Sequence, residues 1–470
     1  MSLVRTAMKA AGLAFLAILA VVGFVRFVLR DRRRIEAPNA WPRIVVLGAG
    51  FGGLSAVRTL HRRLGDHAHV RLIDRHNDHL FTPLLYEVAT WALDPYEVAS
   101  PLRQYAGRRG IEFRRATVQG IDFERCRVLL DGDEEHYDYL IIALGSATNF
   151  FGNESAQRHA LPLKWIEDGL AIRNHVIDML EEAVQTREAQ ERRRLLTFVI
   201  VGGGSTGVEA AAALMDFLRK VIPSDYPLLS MDEARVVVVE LAGRLLGHMG
   251  ERMAKAALTK LRESGVEVWL NTRPAEVLPD QLLLADGRRL ATRTMIWATG
   301  VRAPDLVTSL DAPHGSSGGL LVDQFLQVQG RPGVYAVGDN AHIEDPRTRE
   351  PVPLLAQSAE EEGKAAAENV VRSIRGRPQK PFRFRSKGNV ISLGGLAGAA
   401  EIGPFLFEGI LGWAVWRGIH LMKIASVRNR VMVALDWAVG ILYGLDTARL
   451  EMQPVPHPED ARPAKKERAA

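Results

Sequence analysis

Cysteine is the scarcest residue of this 470-residue chain, and Cys126 stands alone. A disulfide framework is thereby excluded, as is redox chemistry that needs a pair of working thiols, and the usage fits a reducing compartment. Cys126 opens a strand-like stretch, Cys126-Arg-Val-Leu-Leu130, where a small core residue is expected. Metal-binding patterns are missing too. No HExxH run occurs, and the local histidines His61, His67, His69, His76 and His79 read as surface or turn residues, so no metal site is expected. Charge of one sign is in short supply: 60 basic residues against 55 acidic leave a net charge of +5, and no aromatic-rich RNA motif is present, so nucleic acid is not an expected partner. Long apolar runs are confined to the N-terminal region, which leaves no set of several spanning helices from which a proton channel could be built.

What the chain does have is glycine in two turns of one design. Arg43-Ile-Val-Val-Leu47 is short, β-branched and almost wholly apolar, as expected of a parallel strand covered on both faces. It runs into Gly48-Ala-Gly-Phe-Gly-Gly53. Gly48 permits the tight turn, Gly50 lets a pyrophosphate approach the backbone, and Gly53 lets the next helix, expected from Leu54 to about Leu64, pack on the strand. Phe51 and Gly52 complete the turn, whose helix presents free N–H groups and a favourable dipole to phosphate. Val70-Arg-Leu-Ile-Asp74 follows, and Asp74 lies about 20 residues beyond the last glycine, the spacing that bonds an adenosine ribose.

The second copy repeats the logic. Thr197-Phe-Val-Ile-Val201 enters Gly202, Gly204, Ser205, Thr206 and Gly207, and Arg235-Val-Val-Val-Val-Glu240 brings the acid after a longer crossover with an extra segment around Pro223 to Leu229. Glu240 favours NADH over NADPH, and Arg244 nearby does not replace the acid. Glu209, just past the turn, either compensates the helix dipole or reaches the nicotinamide half of NADH. Two turns in one chain imply two dinucleotides, most simply read as partners in electron transfer.

Two further buried strands close on small residues, Tyr139 to Gly145 and Met295 to Gly300, the latter ending Ala298-Thr299-Gly300, and Gly333 to Asp339 ends Gly338-Asp339 with a carboxylate suited to polyol hydroxyls. Together with Asn77 to Thr90 and Ala356-Gln-Ser-Ala359, these residues resemble the type II NADH dehydrogenases, single-subunit flavoproteins with two dinucleotide-binding domains, over roughly residues 42 to 445. The resemblance implies FAD on the first turn with its ribityl chain near Asp339, NADH on the second, and Pro83, Leu84 and Leu85 near the flavin ring. It also implies a quinone, menaquinone or ubiquinone, as acceptor, and a homodimer. Ala356-Gln-Ser-Ala-Glu-Glu-Glu-Gly363 is similar to the family's flavin and quinone segment AQxAxQxG, with Gln357 matching and Glu361 in place of the second glutamine. Lys387 matches a position near the quinone entrance. Gln357 is expected to orient the quinone or the flavin edge, with Glu209 and Glu361 as proton carriers. Relatives that oxidise sulfide or reduce disulfides need two thiols, which this chain lacks. A reading from another class is an NADH-binding flavoprotein that reports redox state to a partner, or that reduces a different acceptor.

Ala10 to Leu29 is apolar except for Arg26 and long enough to cross a bilayer as a helix, and Arg30, Arg32, Arg33 and Arg34 follow it. This predicts a retained N-terminal anchor with the catalytic body on the cytoplasmic side of the inner membrane. Phe405 to Ile424 and Val431 to Leu445 suit helices lying in the interface, with Trp413, Trp416 and Trp437 at headgroup depth and Arg417 and His420 on a polar stripe, or else packing a dimer interface. The expected architecture is α/β, with two Rossmann-like domains and the NADH domain inserted in the FAD domain. An N-terminal transmembrane helix precedes them and C-terminal amphipathic membrane-associated helices follow. In residues, 1–36 is the anchor, 41–160 the first part of the FAD domain, 161–290 the NADH domain, 291–385 the second FAD part, 386–450 the membrane-association region and 451–470 a disordered tail.

Overall fold

The computed structural model describes residues 41–107, 109–345, 350–442 and 448–449, so the predicted anchor at 1–36 and tail at 451–470 lie outside the described residues. Among the described residues no helix is long and apolar enough to cross a membrane.

Continuous β-branched runs form two parallel five-stranded sheets of one plan. In the first, the order is Val334–Ala336, Tyr139–Ile142, Arg43–Leu47, His69–Asp74, Glu112–Arg115. In the second it is Leu161–Pro162, Thr294–Trp297, Thr197–Val201, Arg235–Val239, Glu267–Trp269. Each glycine turn thus leaves the middle strand. The strand leading to Asp74 or Glu240 lies on one side of it and a strand closing on glycine on the other. The middle strands are covered on both faces, as their unbroken hydrophobicity requires.

The second sheet sits within the sequence of the first, but it extends beyond the expected boundary at 290. Thr294–Trp297 pairs in parallel with Phe198 to Val201, so Ala298, Thr299 and Gly300 close the second sheet rather than resume the first. The reason is physical: Thr294–Trp297 is wholly buried and, paired along Thr197–Val201 on the side opposite Arg235–Val239, completes the shielding of that strand. The chain crosses from one sheet to the other and back through a two-residue antiparallel ribbon, Ala147–Thr148 against Val301–Arg302.

Two helices hold the first sheet's turn. Phe51–Leu64 begins three residues before the expected Leu54, because Gly50 is already its N-cap. Across it lies Ala356–Ile374, and the two meet backbone to backbone: a side chain at Gly363 would overlap the carbonyl oxygen of Gly52. The extended second crossover is a helix, Ser205–Asp225, that tolerates Pro223 in its last turn.

The C-terminal region departs from expectation. Phe405 to Glu408 is not helical but the third strand of a small antiparallel sheet with Asn389–Ser392 and Gly398–Ile402, and the helices are Gly409–Lys423 and Val427–Leu442. Trp416 and Trp437 are buried at 1% and 7% exposure, and His420 is buried as well. They face the protein because each indole N–H finds an internal carboxylate, so neither ring is at headgroup depth. Cys126 is likewise misplaced by its sequence context: it is exposed, in a left-handed turn conformation (φ 52°), one residue before its strand starts.

Gly363→Val should lower stability by about 3 kcal/mol through overpacking of the helix crossing. A lower urea midpoint and loss of bound flavin on gel filtration are the expected readouts.

Candidate active site

At the first turn, a side chain on Gly48 would collide with the Ala143 carbonyl, and one on Gly53 with the carbonyl of Gly48, whereas Gly50 has nothing within 4 Å. The turn is therefore packed everywhere except where a phosphate must approach. Asp74 already grips it, its Oδ2 accepting from Ala49 N at 2.7 Å and its Oδ1 from His76 N at 2.8 Å. His79 is buried rather than on the surface as expected. Its Nδ1 lies 2.8 Å from the Ala49 carbonyl oxygen, Phe51 packs edge-on against it, and burial holds its pKa below the ordinary range.

The second turn is built alike. A Cβ on Gly202 would stand 2.7 Å from Thr299 Cβ and 2.8 Å from the Ala298 oxygen, one on Gly207 would meet the Gly202 carbonyl, and Gly204 is open. Glu240 Oε2 accepts from Gly203 N at 2.5 Å and Oε1 from Ala242 N at 2.7 Å. Arg244 donates to the carbonyls of Gly247 and Met249, so it is engaged and does not stand ready for a 2′-phosphate. Ser205 Oγ is 3.3 Å from His248 Nε2, and Thr206 is exposed beside it. Gly300 is roofed by the ring of Phe151, an exposed residue in a left-handed conformation (φ 52°) that no sequence signal had marked.

Between the turns, Asp339 Oδ2 accepts from Ser146 Oγ at 2.5 Å, and Lys164 Nζ donates to that hydroxyl at 2.6 Å. Gly338 N donates to the buried Glu362, whose pKa desolvation pushes up to about 7. Gly145 N donates to Asn340 Oδ1 at 3.1 Å. Leu84 and Leu85 are buried in a cluster with Phe81, Ala210 and Trp416, where they form the wall behind the turn. Pro83 keeps solvent contact. Ala356 and Gln357 start the Ala356–Ile374 helix, and Gln357 Nε2 is buried with no hydrogen-bond partner. An orphaned amide donor beside an open glycine turn fits a ligand with carbonyl acceptors, as the isoalloxazine of FAD has. Ser146, Lys164 and Asn340 were missed from the sequence: Ser146 and Lys164 reach Asp339 only through the fold, and Asn340, though its neighbour in sequence, shows its role only in the bond from Gly145 N.

Glu209 is buried, and its Oε1 accepts from Trp416 Nε1 at 2.9 Å and from Ser392 N at 3.0 Å. It is thus no surface compensator of the helix dipole. Desolvation pushes its pKa up to about 8 despite those two donors, with Glu87 adding to the rise. Glu361 behaves oppositely: it pairs with Lys387, which holds its carboxyl below the ordinary range, and Lys423 pairs with the adjacent Glu360 at 2.7 Å. A carboxylate so held is a poor proton carrier at neutral pH, contrary to the role expected for Glu361.

The family model for pyridine nucleotide-disulphide oxidoreductases matches residues 42–363. A probable NADH dehydrogenase of Dictyostelium discoideum is 30% identical over 86% of this chain and 90% of its own length. A type II NADH:quinone oxidoreductase of Mycobacterium tuberculosis is 30% identical over 87% and 90%. The chain belongs to the type II NADH:quinone oxidoreductases. Its fold agrees: NDH2 of Plasmodium falciparum, solved in complex with NADH, superposes with a TM-score of 0.78 at 19% identity, over 87% of this chain and 99% of that one. A sulfide:quinone oxidoreductase from Aquifex aeolicus shares the fold at a TM-score of 0.68 and 19% identity, over 86% and 96%. The present chain has one thiol, Cys126, and so lacks the pair of cysteines that sulfide oxidation was expected to need.

Two predictions follow from these contacts. Glu240→Arg removes the ribose acceptor and the clamp on Gly203, so KM for NADH should rise at least tenfold while NADPH use improves; an unchanged ratio of kcat/KM values would remove Glu240 from coenzyme choice. Because Glu209 titrates at about 8 in the folded chain against an ordinary 4.5, the folded state holds more protons across that window. Its contribution to stability therefore falls as pH rises from 4.5 through 8. Melting curves should show a smaller loss of Tm between about pH 6 and pH 9 in Glu209→Gln than in the parent chain.

Proposed function

We propose that this chain is a membrane-associated, FAD-dependent enzyme that oxidises NADH and reduces a quinone without pumping protons. The observation that carries the reading is the duplicated turn. Both glycine loops leave the middle strand of a five-stranded sheet, both are open at one α-carbon only, and both are clasped by the ribose acid of the next strand.

Asp74, Asp339 and Gln357 would hold FAD, which would supply the two-electron redox chemistry linking NADH to a quinone. The protein's own residues supply position and charge. The first turn and Asp74 hold the adenosine half of FAD, Asp339 with Ser146 and Lys164 meets its polyol, and Gln357 donates to the ring edge. The second turn and Glu240 hold NADH, Glu209 serves the nicotinamide half and holds or releases a proton there, and Lys387 with Glu361 stands at the quinone route. Leu84 and Leu85 seal the wall and keep water from the reacting faces.

Association with lipid rests on the surface of the C-terminal helices. Leu411 and Met422 are 67% and 70% exposed, with Phe405, Ile410, Ile441 and Leu442 beside them, more apolar surface than a solvated face carries. Arg30 to Arg34 support placement of the body on the cytoplasmic side, and a homodimer is the expected assembly.

Anaerobic stopped-flow tests the reading. NADH should bleach the flavin, and a menaquinone or ubiquinone analogue should restore its colour at a rate that supports steady turnover. Bleaching without reoxidation by any quinone would instead favour a redox-reporting role. Removal of residues 1–36 should leave NADH oxidation by a soluble dye intact and weaken retention on membranes in flotation assays.

A further inference from the structure

Two tryptophans of the C-terminal helices end on carboxylates of the nucleotide-binding body. Trp437 donates to Glu87 Oε2 at 2.6 Å, and Trp416 to Glu209 Oε1 at 2.9 Å. An indole N–H has no use but to donate, so each ring is satisfied only when its acid lies in one place. The two acids differ in their setting. Glu87 belongs to the short Leu85–Ala89 helix and is enclosed by Trp437, Tyr86 and Arg417. Glu209 lies just beyond Gly207, in the helix that opens on the second glycine turn.

Both donors to Glu209, the indole and Ser392 N, come from the C-terminal region and go to the same oxygen, Oε1. Oε2 receives no hydrogen bond among the described residues. Two donors on one oxygen restrict the rotation of a carboxyl group and leave its other oxygen free to meet a ligand. The nearby charged and titratable groups are Glu87 and Tyr86 from the Leu85–Ala89 helix, with Arg417 and His420 from the helix that carries Trp416. His420, against the indole at 4.3 Å between ring centroids, is kept neutral by burial.

We propose that Trp416 is a positioning residue for hydride transfer, pinning Glu209 Oε1 so that Oε2 is presented to the nicotinamide half of NADH. This rests on the reading that Glu209 serves that half. It makes the C-terminal segment a contributor to the NADH end of the reaction and not only to the membrane end. Trp437 is the control, an indole-to-carboxylate bond of the same kind made to Glu87 on the Leu85–Ala89 helix and not to Glu209.

The experiment uses the full-length holoenzyme and follows flavin reduction by NADH in anaerobic stopped-flow between about pH 6 and pH 9, with Trp416→Phe, Trp437→Phe and Glu209→Gln beside the parent. A donor to an ionised carboxylate lowers its pKa, so Trp416→Phe should move the midpoint of the rate profile up by about one pH unit. Trp437→Phe lets Glu87 keep its proton more readily, which leaves the midpoint in place or lowers it. Glu209→Gln should abolish the midpoint. If Glu209→Gln abolishes it but Trp416→Phe leaves it where it was, the positioning role is overturned and the reading of Glu209 stands. If Glu209→Gln leaves the profile intact, the reading of Glu209 falls and the positioning role with it. Should Trp416→Phe fail to fold, benzothienylalanine at position 416 keeps the ring outline and removes the N–H alone. The same upward shift is then expected, and an unmoved midpoint overturns the proposal.

Discussion

A pyrophosphate can touch a peptide backbone only where no side chain stands on the α-carbon and where free N–H groups converge, and this chain meets that condition twice. Gly50 and Gly204 are bare, while the glycines around them are filled by the strand or helix behind. The rest of the molecule serves that contrast. Fully buried strands hold the turns rigid, the neighbouring strands deliver Asp74 and Glu240 to the turn backbone, and helices lean on the glycines that cannot be replaced. Both acids brace the glycine loop through its backbone N–H groups, so under the proposed role in ribose binding, recognition and loop shape could not be altered separately.

Much of this was legible in the residues. The strands at Arg43–Leu47 and Thr197–Val201 fall where their unbroken apolar runs place them, and the glycine roles follow from spacing alone. Local pattern failed where long-range contacts decide. Thr294–Trp297 has the composition of any buried strand, and only its pairing with Phe198 to Val201 assigns it to the second sheet. Cys126 sits beside a strand but occupies the turn, because hairpin geometry needs a residue there. The C-terminal tryptophans misled for a related reason, since an amphipathic ring suits a lipid boundary and a buried carboxylate equally well from sequence. His79 and Lys164 carry no local signal at all, and their partners lie 30 and 18 positions away.

Buried carboxylates divide the interior by charge state. Desolvation raises the pKa of Glu87, Glu209 and Glu362, which favours the protonated form. Lysines at the mouth lower that of Glu361.

The two dinucleotide sheets are stitched by a ribbon only two residues long on each strand, Ala147–Thr148 against Val301–Arg302. The ribbon is not the whole seam, however: Leu85 and Val88 also pack against Gly169 of the Ile166–Gln185 helix, and Ala210 of the Ser205–Asp225 helix joins the cluster of Leu84 and Leu85. Apolar burial thus fixes the spacing between the two glycine turns, which the ribbon's few hydrogen bonds alone could not do.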